Sequence, residues 1–397
     1  MLALPPMTTA KMPSSRRHRS RELLLELIRR EGGVTRADLC RLTGLSRSAV
    51  ADSVQDLLNE RLVVEDVLEA GGKGAGRGRP SALLVVAPPR GVVLGIDFGH
   101  MHVSVAVATT EGRVLADQHS EVNVDAQASA ALDVAAGAAH RLLSRLDLSI
   151  LDVRSITAGI PAPLDVRTKR IKSTSIMTSW ANLEPERELG SRLGGPVVVV
   201  NDADLGAGAE VRFGAAKGFR DVLYVKAGEG IGASLILNGA PYHGSHGIAG
   251  EIGHTNVTSQ EGWCRCGNRG CLETVVSSTV VEERLKAAGL DSVPDPLFPL
   301  SRSNEDPAIT RIVMASGRIL GRVLADICNC LNPSMIVLGG VLGTAGKPLV
   351  DGVRESINLY AQPANAAVVE VRTAQLGLRA ELMGAVAQAC QRAMYQG

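Results

Sequence analysis

Three cysteines, Cys264, Cys266 and Cys271, crowd into eight positions, and His254 stands ten residues before the first of them. One imidazole nitrogen and three thiolates make the donor set of a closed, tetrahedral structural zinc site, with no position left for water. The Cys-x-Cys pair is tighter than the usual zinc knuckle. The chain holds seven cysteines, an odd number, and its N-terminus carries Pro5, Pro6 and Pro13 ahead of a basic cluster in place of the apolar stretch of an export signal. That context favours metal over disulfide. Cys40, Cys328, Cys330 and Cys390 fall in helical patterns and are expected to be packing residues.

Arginines point to a second chemistry. Residues 1–90 hold 15 Lys and Arg against 10 Asp and Glu, and the remainder holds 27 against 31. A basic segment on a slightly acidic body implies one part that meets a polyanion and one that does not. Arg47, Ser48, Ala49, Asp52 and Ser53 are the expected exposed residues at the start of a helical pattern. In a helix-turn-helix such positions approach base edges in the major groove, where Arg47 can pair with guanine and Ala49 can touch a thymine methyl. Arg77-Gly78-Arg79-Pro80 resembles the core of an AT-hook, an arm suited to the narrow minor groove of A·T-rich DNA. A trihelical unit that merely docks on protein would leave the basic arm and this cationic segment unexplained.

The elements that must position these residues are legible from patterning. The 397 residues are 45% hydrophobic and 21% charged but only 3% aromatic, so Ala, Val, Leu and Ile must fill a globular core. No apolar run approaches the roughly 18 residues that cross a bilayer, and a soluble, cytoplasmic protein is expected. Residues 1–15 read as a disordered leader. Leu23, Leu24, Leu27 and Ile28 give one helical face, and Thr35 with Asp38 forms a capping box for a second helix carrying Leu39 and Leu42. Gly44 ends that helix, and Ser46 caps a third whose inner face is Val50, Val54 and Leu57. Residues 62–64 and 83–86 read as a β-ribbon around a glycine-rich tip with Lys73, Arg77 and Arg79, and Pro88-Pro89 marks a boundary. These segments make a winged helix-turn-helix over 16–90. From Gly91 the texture becomes alternating strand and helix, an α/β body over 91–397. Its first lobe is expected at about 91–200 plus a C-terminal helix at about 379–397, and its second, with the metal site, at about 201–378. Asn201-Asp202 follows a short apolar strand at 197–200, at the carboxyl end where α/β folds place ligands.

Ala249-Gly250-Glu251-Ile252-Gly253-His254, followed by Cys264-x-Cys266-Gly267-x-x-Gly270-Cys271-Leu272-Glu273, is the most specific pattern in the chain. With the helix-turn-helix ahead of it, the chain resembles regulators of the ROK family, of the xylose- and N-acetylglucosamine-repressor type. That family unites bacterial sugar-responsive repressors with sugar kinases. The resemblance covers nearly the whole chain and implies an actin/hexokinase-like pair of α/β lobes around a cleft. It assigns His254, Cys264, Cys266 and Cys271 as zinc ligands, one ion per chain. It places Asn201, Asp202, Glu251, His254 and Glu273 at sugar-contacting positions, with Thr174 a further candidate. The family's Pro-Gly-Pro turn reads Pro161-Ala162-Pro163 here.

In the kinases of the family the residue matching Asp202 is the catalytic base, so Asp202 is a vestigial base position in a chain with no expected catalytic residue. The first kinase phosphate turn, Asp-x-Gly-Gly-Thr, reads Asp97-Phe98-Gly99-His100-Met101, with bulky side chains in place of the second glycine and the threonine. The second, Gly-Thr-Gly-Ile-Gly-Gly, reads Gly228-Glu229-Gly230-Ile231-Gly232-Ala233, and Glu229 would face polyphosphate with like charge. The expectation is a sugar-responsive repressor of carbohydrate uptake or metabolism genes that releases its operator when a sugar or sugar phosphate binds. Its expected partners are palindromic operator DNA with A·T-rich flanks and a second copy of itself, as a homodimer or dimer of dimers. The alternatives are an active ATP-dependent sugar kinase with an accessory DNA-binding domain and, more remotely, an activator.

Overall fold

The computed structural model describes residues 16–60, 62–66, 82–87, 91–165, 168, 170–171, 177–181, 183–257, 262–290, 300 and 303–396. The chain divides into two units, Met1–Pro89 and Arg90–Gly397.

In the first unit, α1 (Arg16–Glu31) precedes α2 (Arg36–Thr43) and α3 (Arg47–Asn59). The Thr35 hydroxyl accepts from the Asp38 N–H and the Asp38 carboxylate accepts from the Thr35 N–H, so the predicted capping box starts α2. Gly44 ends it in the left-handed region at φ 69°, and the Ser46 hydroxyl accepts from the Ala49 N–H to start α3. Strands β1 (Val63–Asp66) and β2 (Leu83–Val86) pair antiparallel. Leu24, Ile28, Leu39, Val54 and Leu57 meet Val63 and Leu84 in one core. Leu23 and Leu42, expected on inner faces, are exposed. The buried stripe of α1 centres on Leu24, Leu27 and Ile28, which turns Leu23 to its edge, and Leu39 alone carries the buried face of the short α2.

The second unit is built on two five-stranded sheets of the same design. In the first, β3 (Val92–Phe98), β4 (His102–Thr109) and β5 (Val114–Glu121) run as an antiparallel meander. Strands β6 (Val153–Ile160) and β7 (Val197–Asn201) extend it in parallel from β3. Helices α4 (Ala128–Arg145) and α5 (Pro185–Leu193) cover one face, where Trp180 packs edge-on to Phe98 and donates its indole N–H to the Val124 carbonyl. Strand β7 runs straight into α6 (Asp202–Phe213).

The second sheet repeats the plan, with β8 (Val222–Ala227), β9 (Ile231–Leu237) and β10 (Ala240–Tyr242) antiparallel and β11 (Met335–Gly339) and β12 (Glu370–Thr373) parallel. Helices α7 (Pro307–Leu331) and α8 (Lys347–Tyr360) pack against its core. The last helix, α9 (Ala380–Gln396), returns to the first sheet, where Leu382, Val386, Ala389 and Ala393 meet Val93, Ala106 and Ala108. It also lies hard against α6, because a Cβ at Gly384 would stand 2.0 Å from the Leu205 carbonyl oxygen. The crossings between the lobes are thus the β7–α6 junction and α9. Among the described residues no helix is long and apolar enough to cross a membrane.

Candidate functional site

His254 closes the short turn Ile252–His254, and the three cysteines follow on a loop pinned by backbone bridges Asn256 to Cys271 and Trp263 to Arg269. One ligand atom from each of His254, Cys264, Cys266 and Cys271 lies within 4.8 Å of all the others. Cys266 and Cys271 sulfurs are 3.7 Å apart, and Cys264 Sγ is 3.6 Å from His254 Nδ1. Ligands about 2.3 Å from a tetrahedral ion stand about 3.7 Å from one another, so the cluster can hold one metal ion. Burial raises the Cys264 and Cys271 thiols, the cost a bound cation would offset. Of the other cysteines, Cys328 and Cys390 are buried and Cys40 half-buried, as packing residues should be, but Cys330 is exposed. The reason is phase: Cys328 takes the inward face of α7, and two residues further along a helix points away.

The pocket beside the cluster is lined by Asn201, Asp202, Glu251, His254 and Glu273. These predicted residues come from the β7–α6 junction, the turn before the metal loop and the short helix Glu273–Val276. Asn201 caps α6: its Oδ1 accepts from the Ala203 and Asp204 N–H groups, and its Nδ2 donates to the Ala162 carbonyl at 3.2 Å. One residue thereby fixes both the helix start and the Pro161-Ala162-Pro163 turn, which also lines the pocket. Asp202 is buried, and its Oδ1 accepts from the Ala203 N–H at 2.7 Å. Glu251 is pushed up to about 7, first by burial and then by the charges of Asp202 and Glu273. His254 presents Nδ1 toward Cys264 and Nε2 toward Glu251 Oε2 at 3.6 Å, so it borders the metal cluster and the pocket at once.

Lys226, His100 and Arg265 also line the pocket and lie outside the sugar set read from the sequence. Lys226 donates from Nζ to Asp202 Oδ2 at 2.6 Å. His100 donates from Nδ1 to Asp125 at 2.9 Å, and Arg265 donates to the same carboxylate at 3.1 Å. A lysine inside the apolar run of β8 was the available signal for the first, and the place of His100 in the Asp97–Met101 turn motif for the second; nothing local marks Arg265. His100 Nε2 lies 3.2 Å from where a Cβ on Gly230 would stand. Met101 is 46% exposed and is not among the residues that line the pocket. Asp97 at the head of this turn is buried, held by His102 Nε2 at 3.2 Å through Oδ2, while its Oδ1 has no hydrogen-bond partner among the described residues.

On α3, Arg47, Ser48 and Asp52 are exposed and Ala49 is half-buried. Ser53 is only 2% exposed, contrary to expectation, because it lies three residues after Val50 on the stripe that faces the core. Ala51 and Gln55 are exposed in its place. Arg77, Arg79 and Thr174, and the leader at 1–15, lie outside the described residues.

The described residues thus combine a winged helix-turn-helix of the DNA-binding kind with a two-lobed, sugar-kinase-like α/β body that carries a carboxylate-rich pocket. Residues 93–392 match the ROK family model, and residues 17–64 match a winged helix-turn-helix DNA-binding model. The chain belongs to the ROK family. The xylose repressor of Bacillus spizizenii is 27% identical over 365 residues, 92% of this chain and 93% of that protein. A glucokinase of Halalkalibacterium halodurans is 31% identical over 309 residues, 73% of this chain and 92% of its own. The crystal structure of a ROK family transcriptional regulator, a homologue of Escherichia coli Mlc, shares the fold with a TM-score of 0.72 at 23% identity, covering 97% of this chain and 98% of that one.

Proposed function

We propose that this chain is a sugar-responsive transcriptional repressor with a structural zinc ion and no kinase activity. The observation that carries it is the convergence of Asn201, Asp202, Glu251, His254 and Glu273 on one pocket, in a chain that also bears a winged helix-turn-helix. Its similarity to a xylose repressor along nearly the full length of both chains supports the same reading. Thr174 completes the sugar set. Arg47, Ser48, Ala49 and Asp52 read the major groove of a palindromic operator, and Arg77 and Arg79 enter the minor groove of its A·T-rich flanks. The DNA-binding part spans 16–90 and the sugar-binding body 91–397, and a homodimer sets the spacing of two heads. Sugar binding shifts the lobes' closure, and through the dimer the spacing of the heads, which must match half-sites about 34–36 Å apart.

The similarity to a glucokinase supports the other reading, an active kinase with an added DNA-binding domain. Against it stand His100, whose ring lies against Gly230, and Glu229 on that same turn. Phosphoryl transfer is positioning plus charge stabilisation, and losing one transition-state donor typically costs about a hundred- to a thousandfold. Coupled ATP turnover and calorimetry on one preparation, across a panel of sugars and their phosphates, separate the two. Sugar binding and operator release without turnover are expected; steady turnover at an ordinary enzymatic rate would establish the kinase instead.

A further inference from the structure

Lys226 is the one charged residue of β8, a strand otherwise made of Val, Leu, Tyr and Ala and buried along most of its length. Such a charge is retained only where its partners and protons are placed. Its ammonium has three N–H donors, and among the described residues Asp202 Oδ2 is the one acceptor bonded to it, at 2.6 Å. Burial pulls this ammonium down, but Asp202, Glu381 and Asp97 outweigh it, and the net direction is up, so the group stays charged. Two donors are left for the pocket that Lys226 lines together with Asp202. Asp202 is engaged on both oxygens, by Lys226 and by the Ala203 N–H, and each oxygen keeps a further lone pair.

We propose that Lys226 is a sugar-contacting residue, and that it and Asp202 together grip one hydroxyl of the bound sugar. The ammonium donates to the hydroxyl oxygen, and the carboxylate accepts the hydroxyl proton as a hydrogen bond. The inference rests on the sugar reading of the pocket and deepens it in two ways. It assigns Asp202 the role of fixed acceptor, held by an ammonium, in place of a base free to take a proton. It also fixes the class of group read here as a neutral hydroxyl: the charge of Lys226 is already matched by Asp202, and Glu251 and Glu273 line the same pocket. A phosphate or carboxylate at this spot would face the Glu273 carboxylate with no cation of its own, because Arg265, a second cation lining the pocket, is paired with Asp125.

The test is calorimetry of wild type, Lys226→Met and Lys226→Arg with D-glucose, D-xylose and the monodeoxy-D-glucoses as probes. In wild type, removing one particular hydroxyl should cost at least about tenfold in affinity, the worth of a charge-assisted hydrogen bond. Lys226→Met should lose affinity for the parent sugar and lose most of that one penalty, leaving the other deoxy penalties as they were. Lys226→Arg should recover part of the affinity. A folded Lys226→Met that binds the parent sugar within twofold of wild type, with the same deoxy pattern, overturns the proposal. Should Lys226→Met not fold, 15N-lysine spectra of wild type decide: the ammonium signal, assigned by its absence in Lys226→Arg, must move on sugar saturation, and a stationary signal overturns the contact. Failure of every probe to bind wild type overturns the sugar reading itself, and this proposal with it.

Discussion

Arg265, set between Cys264 and Cys266, donates from its guanidinium to Asp125 Oδ2 at 3.1 Å. The two residues belong to different lobes, Arg265 to the cysteine loop and Asp125 to the segment that leads into α4. Asp125 is itself anchored by His100, and its backbone carbonyl accepts from the Ser179 hydroxyl. The cysteine loop is therefore tied to the first lobe beside His100, which lines the pocket together with Arg265. Arg265→Ala should speed sugar dissociation by a few fold, since a half-exposed ion pair contributes up to about 1 kcal/mol. The exchanged pair, Arg265→Asp with Asp125→Arg, should regain part of the loss in stopped-flow measurements. Additive losses in the exchanged pair would count against the bridge.

Cys266→Ser should lose metal and sugar response together. Its sulfur lies 3.7 Å from that of Cys271, and the same loop carries Arg265 and leads into Glu273 of the pocket. Elemental analysis is expected to give about one zinc per wild-type chain, a closed four-ligand site. Metal-free protein with unchanged sugar affinity would remove the link between the two sites.

The junction between lobes should make stability depend on pH. Glu381, at the start of α9, accepts a hydrogen bond from the Tyr224 hydroxyl at 2.8 Å and is fully buried. Burial pushes its carboxyl up, Lys226 opposes this, and Asp97 and Asp202 add to it, leaving it at about 7. An unfolded Glu titrates near about 4.3, so over the interval between these values the folded chain binds the extra proton. The resulting stabilisation is complete below the lower value and is lost as pH rises through 7. Glu381→Gln should therefore show a shallower fall in melting temperature than wild type between pH 6 and pH 8, as measured by calorimetry. Parallel pH profiles would show that this carboxyl keeps its ordinary titration.

What the sequence discloses about this molecule is mostly local. The Thr35–Asp38 box and the Ser46 cap depend on neighbours three residues apart, and both stand in the structure. The His/Cys cluster is compact in sequence apart from His254, and its motif also holds Glu251 and Glu273 of the pocket, whereas Asn201 and Asp202 lie outside it. Contacts made by topology were silent. Lys226 meets Asp202 because β8 passes beside the start of α6, and Arg265 meets Asp125 across 140 positions of sequence. The pair of lobes was expected from the family resemblance, but the matching strand order of their two sheets is seen only in the structure. Ser53 failed for a different reason: it stands beside residues that do face outward, and the phase of the helix sends it to the core.

That phase error gives a direct test on DNA. Val50, Ser53, Val54 and Leu57 form the inward stripe of α3, which leaves Arg47, Ser48, Ala51, Asp52 and Gln55 on the outward side. Ser53→Ala should therefore leave operator affinity and base preference within about twofold of wild type, the scatter expected where no contact is lost. Arg47→Ala should relax discrimination at one guanine, worth about 1–3 kcal/mol for a bidentate pair. Gln55 bonds to Asn59 along the helix at 3.0 Å, so Gln55→Ala should alter base preference only where that side chain leaves Asn59 for an adenine edge. Arg77→Ala with Arg79→Ala should weaken binding to every site, most at A·T-rich flanks, and flatten the salt dependence, as loss of backbone and minor-groove contacts does. Binding measured over a library of operator variants at two salt concentrations separates these outcomes. A Ser53→Ala protein with altered base preference would mean that α3 turns its other face to the groove.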